Sequence, residues 1–457
     1  IKEHAKYLDM LLNPGKYERP AKILEAIRNQ FNLMARLLTG NPDATYKDIE
    51  DLKVREEKAR EFLSRISQRL ASTDEQEAIH PELANIRTDA SQPEPTPVNR
   101  VLRIGIYPVA GNPLHWDHLL VALEAIAQEG LDRVIFDIQG PGDIRKPILA
   151  FTKDYRYELC QAELDLFAPF FGFSENVSDC GETDIFRIMK LNPRQKADFF
   201  YMVGSDHYNR WNKAEVPDNV LRGTSEYEEH KAKLGKDPMP DTLQKLEDNP
   251  SKLGMDSAVH SISALFAERP GEPKKTVEHK LKNLKTLAPV GASSSTAIRK
   301  ALEGMEQGVD VKTLTGLAYL PYMGYEYIKE HAKYLDMLLN PGKYELIAQI
   351  ESALSKLLQE SLPDKTAPPQ AEIKGDTLEI HIEGLLPEAI QANKAQAEEA
   401  ALKLIQEGKL KITLYDEQGN PIDAKVRVTK VTFASIHIQI DTKGLKLSSS
   451  KPATVEY

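Results

Sequence analysis

Cysteine is nearly missing from this chain: Cys160 and Cys180 are the only two. Two thiols build neither a disulfide framework nor a four-thiolate zinc site, and they fit a reducing, cytoplasmic interior. No run of about 18 apolar residues occurs, so no transmembrane helix is expected. The opening IKEHAKYLDMLL is charged and amphipathic, without the layout of a secretory signal. A basic excess is missing as well. Lys and Arg number 59 against 69 Asp and Glu, a formal charge of -10. That balance argues against a general nucleic-acid surface, while leaving room for a small basic pocket that takes phosphates.

What is present is the composition of a folded protein, 41% hydrophobic and 28% charged over 457 residues. That length exceeds one ordinary core, and about two to four domains are expected. Residues 1–90 form an N-terminal region whose stretch 19–80 reads as helical, with apolar positions at helical spacing in ILEAIRNQFNLMARLL and KAREFLSRISQRL. SQPEPTPVNR, 91–100, is a Pro-rich linker. Residues 101–345 then alternate strand and helix: VLRIGIYPV as a buried strand, HWDHLLVALEAIAQEG as a helix, RVIFDIQG as a strand, TKDYRYELCQAELDLF as a helix and ADFFYMVG as a strand. A charged stretch at 212–258 reads as an insertion, after which SISALFA resumes a strand, SSSTAIRKALEGM a capped helix and LPYMGYEYIKEHAKYLDMLL a last helix. This order implies an α/β domain with a parallel sheet and helices on both faces, whose ligands bind outside the carboxyl ends of the strands. Residues 346–375 are a helix and linker. Residues 376–457 read as a small α+β domain, in which TLEIHIEG and KLKITLYDEQGNPI flank an Ala/Gln/Glu-rich helix and KVRVTKVTFASIHIQI continues as strand. The segment IKEHAKYLDMLLNPGKYE occupies 1–18 and recurs unchanged at 328–345. Solenoid repeats diverge and come in threes or more. A lone identical pair marks a recent duplication or an artefact, so 1–18 is set aside from the functional reading.

Three short constellations carry chemistry. In GIYPVAGNPLHWDH, from Gly105 through Asn112 to His115 and His118, a strand runs into a turn and two histidines open a helix. Residues at i and i+3 share a face, and a helix N-terminus binds anions. Two imidazoles there can stabilise charge developing on a reacting phosphorus. Gly291, Ser293, Ser294, Ser295, Thr296 and Arg299 place hydroxyls, backbone N–H groups and a guanidinium at a second helix start, a cradle for a polyphosphate. Gly204, Asp206 and Trp211, in MVGSDHYNRW, set a carboxylate at the sheet edge with an aromatic ring that can stack. Taken singly, each reads more readily as a polar first turn, a helix cap or a core tryptophan. Together, in chain order on an alternating strand and helix pattern, they describe one phosphate-handling site.

These residues resemble a family. GIYPVAGNPLHWDH is similar to the signature of the nucleotidyltransferases with a (His/Thr)-x-Gly-His motif, and SSSTAIR is similar to their Ser-Ser-Thr-x-Ile-Arg motif. VGSDHYNRW resembles the Gly-x-Asp…Trp element of the nicotinate and nicotinamide mononucleotide adenylyltransferases. RKP (145–147), YRYELC (155–160), ERPG (268–271) and LPYMGYEYIKEHAKY fall where that family has similar elements, and the resemblance spans about residues 101–335. Asp117 stands where the family usually has Gly, and Asn112 where many bacterial members have Asp. A carboxylate beside a triphosphate repels it. It could turn away from the pocket or hold one histidine in its charged form.

The resemblance implies a Rossmann-like nucleotidyltransferase domain. It implies adenylyl transfer from ATP to a pyridine mononucleotide in NAD biosynthesis, with Mg²⁺ accompanying the ATP. His115, His118 and Arg299 are the catalytic candidates. Gly105, Asn112, Ser293, Ser294, Ser295, Thr296 and Lys146, beside Arg145, are candidates for holding ATP phosphates. Gly204, Asp206 and Trp211 are assigned to the acceptor. No residue is assigned as a protein metal ligand, and a homo-oligomer is compatible with the sequence. The alternatives are a cytidylyltransferase or phosphopantetheine adenylyltransferase, which Gly204-x-Asp206…Trp211 disfavours, and an inactive nucleotide-binding module.

Overall fold

The helical periodicity of the N-terminal region resolves into two helices, α1 (Pro14–Thr39) and α2 (Glu50–Leu70). The reading of 19–80 as helical therefore needs correction at two places. Gly40, at φ 66°, closes α1 in the left-handed conformation that favours glycine. Residues 71–80 leave the helix altogether. The structure is a computed structural model. It describes the chain apart from residues 1–7, 9–10, 141–147, 177–180, 205–228, 231, 234–255, 257, 269–283, 289, 292–293, 343, 345–369, 375–376, 384–410, 416–420, 423–425, 432–434, 442–453 and 457. Two compact units result, one of residues 1–143 and 152–335, the other of residues 144–151 and 336–457.

In the first unit, the apolar runs become β1 (Leu102–Val109), α3 (Trp116–Glu129), β2 (Arg133–Ile138) and α4 (Lys153–Asp165). Then follow β3 (Phe171–Glu175), α5 (Gly181–Leu191), β4 (Ala197–Gly204), β5 (His260–Ala267) and β6 (Leu284–Leu287). The unit closes with α6 (Ser295–Glu306) and α7 (Tyr322–Glu330), and α8 (Ala332–Leu339) crosses the boundary between the units. The strands β3 and β6 and the helix α5 had no counterpart in the sequence reading. FGFSE and LKTL are too short for their alternation to separate a strand from a loop. The expected helix over 320–339 is broken at His331, which takes φ -107° and ψ 78°. Its Nδ1 lies 2.7 Å from the Tyr327 carbonyl and its ring stacks on Tyr327 at 4.0 Å.

All six strands of this sheet are parallel, in the order β3-β2-β1-β4-β5-β6. That is the doubly wound Rossmann order, whose ligand crevice lies beyond the carboxyl ends of the two strands where the winding reverses. Here those strands are β1 and β4. Both are buried along most of their length, as strands covered on two faces must be. Leu102, Ile104 and Ile106 join Phe199, Tyr201, Phe266 and the α5 residues Ile185, Ile188 and Met189 in one core layer. The two-residue alternation sends Tyr107 to the opposite face, where it meets Phe136 and His118 of α3.

The N-terminal helices belong to the same compact unit as this sheet. Arg28 of α1 and Glu56 of α2 pair at 2.6 Å, and the Phe31 ring meets Trp116 edge-on at 4.6 Å. Both rings are fully buried. On the α3 face toward α2 lies Glu124, 5% exposed, whose Oε2 has no hydrogen-bond partner among the described residues. Burial raises its pKa from 4.5 to about 7, against the opposing pull of Arg65 and Lys58. A carboxyl whose folded pKa is raised holds its full stability below the unfolded value and loses it as pH climbs through the folded one. Urea unfolding should therefore show lower stability at pH 8 than at pH 5. At about 1.4 kcal/mol per pKa unit, the Glu124 share of that loss is up to about 3 kcal/mol. Glu124→Gln should remove that share, and an unchanged pH slope in the variant would contradict it.

The second unit is described mainly by its strands. Gln370–Lys374 (β7), Thr377–Glu383 (β8), Val426–Val431 (β11) and Ser435–Asp441 (β12) form an antiparallel sheet in the order β11-β12-β8-β7. Lys411–Tyr415 (β9) pairs with Pro421–Ile422 (β10) and Thr454–Glu456 (β13). KVRVTKVTFASIHIQI, expected to continue as strand, holds two paired antiparallel strands with Val426 opposite Ile440. The expected Ala/Gln/Glu-rich helix lies outside the described residues.

Candidate nucleotide-phosphate site

β1 delivers its chain to a turn at residues 110–115, and α3 starts directly after it. His115 is the extended residue that caps α3, at φ -147° and ψ 166°. One helical turn on, His118 returns to the same face, and the two imidazoles stack with centroids 3.7 Å apart and planes at 28°. The i, i+3 spacing read from the sequence thus becomes a paired ring surface at a helix N-terminus. His115 is buried and His118 half-buried, with the edge of Tyr107 against the latter at 6.1 Å.

The second motif, more than 180 residues later in sequence, meets the same turn. Ser294 caps α6, its Oγ accepting from the Ala297 N–H at 3.2 Å. Ser295 Oγ donates to the Pro113 carbonyl at 3.3 Å. Arg299 donates to the Asn112 carbonyl at 3.2 Å and to Thr296 Oγ1 at 3.3 Å. The structure therefore brings Asn112, His115, His118, Ser295, Thr296 and Arg299 to one place, beyond the carboxyl end of β1. Gly204 ends β4, the neighbouring strand at the winding reversal. Lys146, Ser293, Asp206 and Trp211, with Arg145, lie outside the described residues. Gly105 is placed differently from the rest. It sits inside β1, and a methyl group on it would lie 2.9 Å from Met202 Sδ and 3.0 Å from Val134 Cγ2. Sheet packing, on the far side of several residues from the turn, accounts for that glycine.

Residues that the sequence did not single out hold the turn from below. Arg156 of α4, fully buried, donates to the Ala110 carbonyl at 2.6 Å and to Thr152 Oγ1 at 2.9 Å. Burial pulls its pKa below the ordinary arginine range. Gly111 has φ 58°, and a methyl group on it would strike Cys160 Sγ at 2.7 Å. Tyr334 of α8, also buried, donates to Asn112 Oδ1 at 3.3 Å. Burial raises the Tyr334 pKa well above its ordinary value and keeps the donor protonated. Glu163, one helical turn beyond Cys160 on α4, is fully buried, and burial raises its pKa well above the ordinary range, toward the neutral acid. The segment YRYELC contains Arg156, so a signal was present. Tyr334 ends the segment LPYMGYEYIKEHAKY, which resembles a family element, but no role was read for it there.

Asp117 does not face the histidines' partner surface unneutralised. Arg55 of α2 donates from Nε to Asp117 Oδ1 at 3.2 Å, and both side chains are at least nine-tenths buried. The guanidinium also lies 4.4 Å from the Tyr319 ring centroid. On its other side the carboxylate abuts Gly291, where a methyl group would lie 2.1 Å from Oδ2. Its place in the first turn of α3 is itself favourable for an anion. The helix α2 reads in sequence as a charged amphipathic helix, with nothing to mark Arg55.

Among the described residues, no group of three or more His, Cys, Asp and Glu side chains is arranged to hold a metal ion. None of the described helices is long and apolar enough to cross a membrane.

No protein-family model matches this sequence, and no curated protein matches it. Among solved structures, the chain is similar to the Plasmodium falciparum nicotinic acid mononucleotide adenylyltransferase complexed with APC. Identity is 12%, the match covers 51% of this chain and 97% of that one, and the TM-score is 0.35. The same enzyme complexed with NaAD gives 12% identity, the same coverages and a TM-score of 0.34. At that identity and score, the functional assignment is left to the geometry of the site itself.

Proposed function

We propose that this chain transfers the adenylyl group of ATP to nicotinate or nicotinamide mononucleotide, producing a dinucleotide and pyrophosphate. One observation carries the reading. The stacked His115–His118 pair and Arg299 converge on a single turn at the winding reversal of a Rossmann-ordered sheet. Imidazole, guanidinium, hydroxyl and helix N–H groups together suit the oxygens of a phosphate.

In the reaction, a phosphate oxygen of the mononucleotide attacks the α-phosphorus of ATP. The bond from that phosphorus to the β-bridging oxygen breaks, and pyrophosphate leaves with the electron pair. Such a displacement needs alignment and charge stabilisation rather than a covalent nucleophile. His115 and His118 donate to the α-phosphate as charge builds on it. Arg299, Ser295 and Thr296 hold the β- and γ-phosphates over the start of α6, while Ser294 orders that start by capping it. Gly204, Asp206 and Trp211 serve the acceptor, with Trp211 stacking on its pyridine ring. The donor set fits a magnesium ion only as the counter-ion that ATP brings, because imidazole, guanidinium and hydroxyl groups are poor magnesium ligands. When bound there, it neutralises phosphate charge.

Pyrophosphate release tests the reading directly. With ATP and each pyridine mononucleotide in turn, release is expected with at least one. Release only with CTP, or only with a phosphopantetheine acceptor, would move the protein elsewhere among nucleotidyltransferases. ATP binding without release on any acceptor would leave a nucleotide-binding module.

A further inference from the structure

Helix α2 touches both phosphate motifs with two side chains, Arg55 and Lys58. They stand three residues apart and so share one helical face. Arg55 reaches Asp117, in the first turn of α3 between His115 and His118. Lys58 Nζ donates to the Val290 carbonyl, one residue before Gly291 and just ahead of the α6 cap. Between the two contacts the Asp117 carboxylate lies against Gly291, where a methyl group would meet it. Phe31 of α1 packs on Trp116, the residue next to Asp117. The N-terminal helices thus grip residues 116 and 117, inside the His115–His118 turn, and residue 290 at the approach to Ser294.

We propose that Arg55 is a positioning residue of the nucleotide-phosphate site, and that α1 and α2 are a working part of that site. Asp117 places a negative charge two residues after His115 and one residue before His118. Left alone it would repel a polyphosphate at the same helix start. Arg55 removes that repulsion by pairing with it at 3.2 Å, in a buried setting where salt screens little. The Tyr319 ring and the Asp51 carbonyl, 3.0 Å from the other guanidinium arm, fix the orientation of the arginine. Asp51 also lies 3.9 Å away through its carboxylate, which is half-exposed and weakly coupled. Arg55 touches no substrate and acts through Asp117. The inference takes its ligand class, a nucleoside triphosphate, from the proposed function.

The test is a binding series by titration calorimetry, with ATP and AMP as probes, on the full chain. Arg55→Gln should weaken ATP about tenfold or more, and AMP much less, because repulsion grows with phosphate charge. A merely structural loss would weaken both probes alike. The double variant R55Q/D117G removes both charges and, because the two residues are coupled, should bring ATP affinity back to within about threefold of the starting protein. Should R55Q not fold, D117N decides, since it removes the negative charge at the helix start while keeping Arg55, and should tighten ATP more than AMP. Equal loss of ATP and AMP in R55Q, no recovery in the double variant, or no preference for ATP in D117N would overturn the proposal. The two readings fail separately. If the unaltered protein binds ATP but releases no pyrophosphate, the transferase reading falls while the binding series still decides Arg55. If it binds no ATP, both fall.

Discussion

Replacing His118 by alanine is expected to leave the protein folded and to lower turnover about 10²-fold or more, the usual cost of one lost transition-state donor. The ring stacks on His115 and touches Tyr107, yet it is only half-buried. Its removal therefore leaves the sheet and the α3 core in place. If His118 stabilises charge that appears only as the α-phosphorus is attacked, the loss falls on kcat, and the KM for ATP changes little. Steady-state pyrophosphate release across a range of ATP concentrations separates the two, and a thermal melt confirms the fold. Turnover close to that of the unaltered protein would remove His118 from the chemistry. A loss confined to KM would make it a ground-state phosphate contact.

A second large effect is expected at Gly291, in stability. An alanine methyl there would lie 2.1 Å from Asp117 Oδ2, 2.4 Å from Cγ and 2.5 Å from Oδ1. Asp117 has little room to yield, because it is buried and paired with Arg55. Relief by moving the loop alone costs about 1–3 kcal/mol, typical of overpacking. Relief by pushing the carboxylate off its arginine costs about 3–5 kcal/mol, typical of a broken buried pair. Either way Gly291→Ala should destabilise strongly in a urea melt. With Asp117→Gly in place the obstructing group is gone, and the same substitution should cost little. The two effects should be non-additive by about 2 kcal/mol, well beyond the few tenths expected of independent sites. Simple additivity would mean that the carboxylate does not lie against Gly291.

The local pieces of this site were legible in the sequence because local rules made them. The spacing of His115 and His118 puts two rings on one helix face whatever surrounds them. Ser294 caps α6 through its own hydroxyl and the third residue on, an interaction within four residues. The long apolar runs that became β1, β4 and β5 carried their own signal, whereas the short β3 and β6 gave periodicity too little length to work on. The helix expected over 320–339 failed at His331, where a ring contact with Tyr327 accompanies a non-helical backbone. Gly105 looked like part of a phosphate turn and is a packing position, since only neighbouring strands reveal what fills the space of its missing side chain.

The duplicated segment separates the two kinds of information. Leu11 and Leu338 occupy the same position in identical 18-residue stretches, yet Leu11 is 60% exposed and Leu338 1%. Their local propensities are equal, so only the surroundings differ. By itself, then, the sequence determined the elements and the chemistry each could carry: a strand, a turn, two histidines, a capped helix with an arginine. Tertiary structure alone decided the strand order that brings Arg299 to Asn112 and the pairing of Asp117 with an arginine 62 residues upstream. Those contacts depend on where separate elements come to rest, and that is settled by burial summed over the whole core rather than by any residue's own preference.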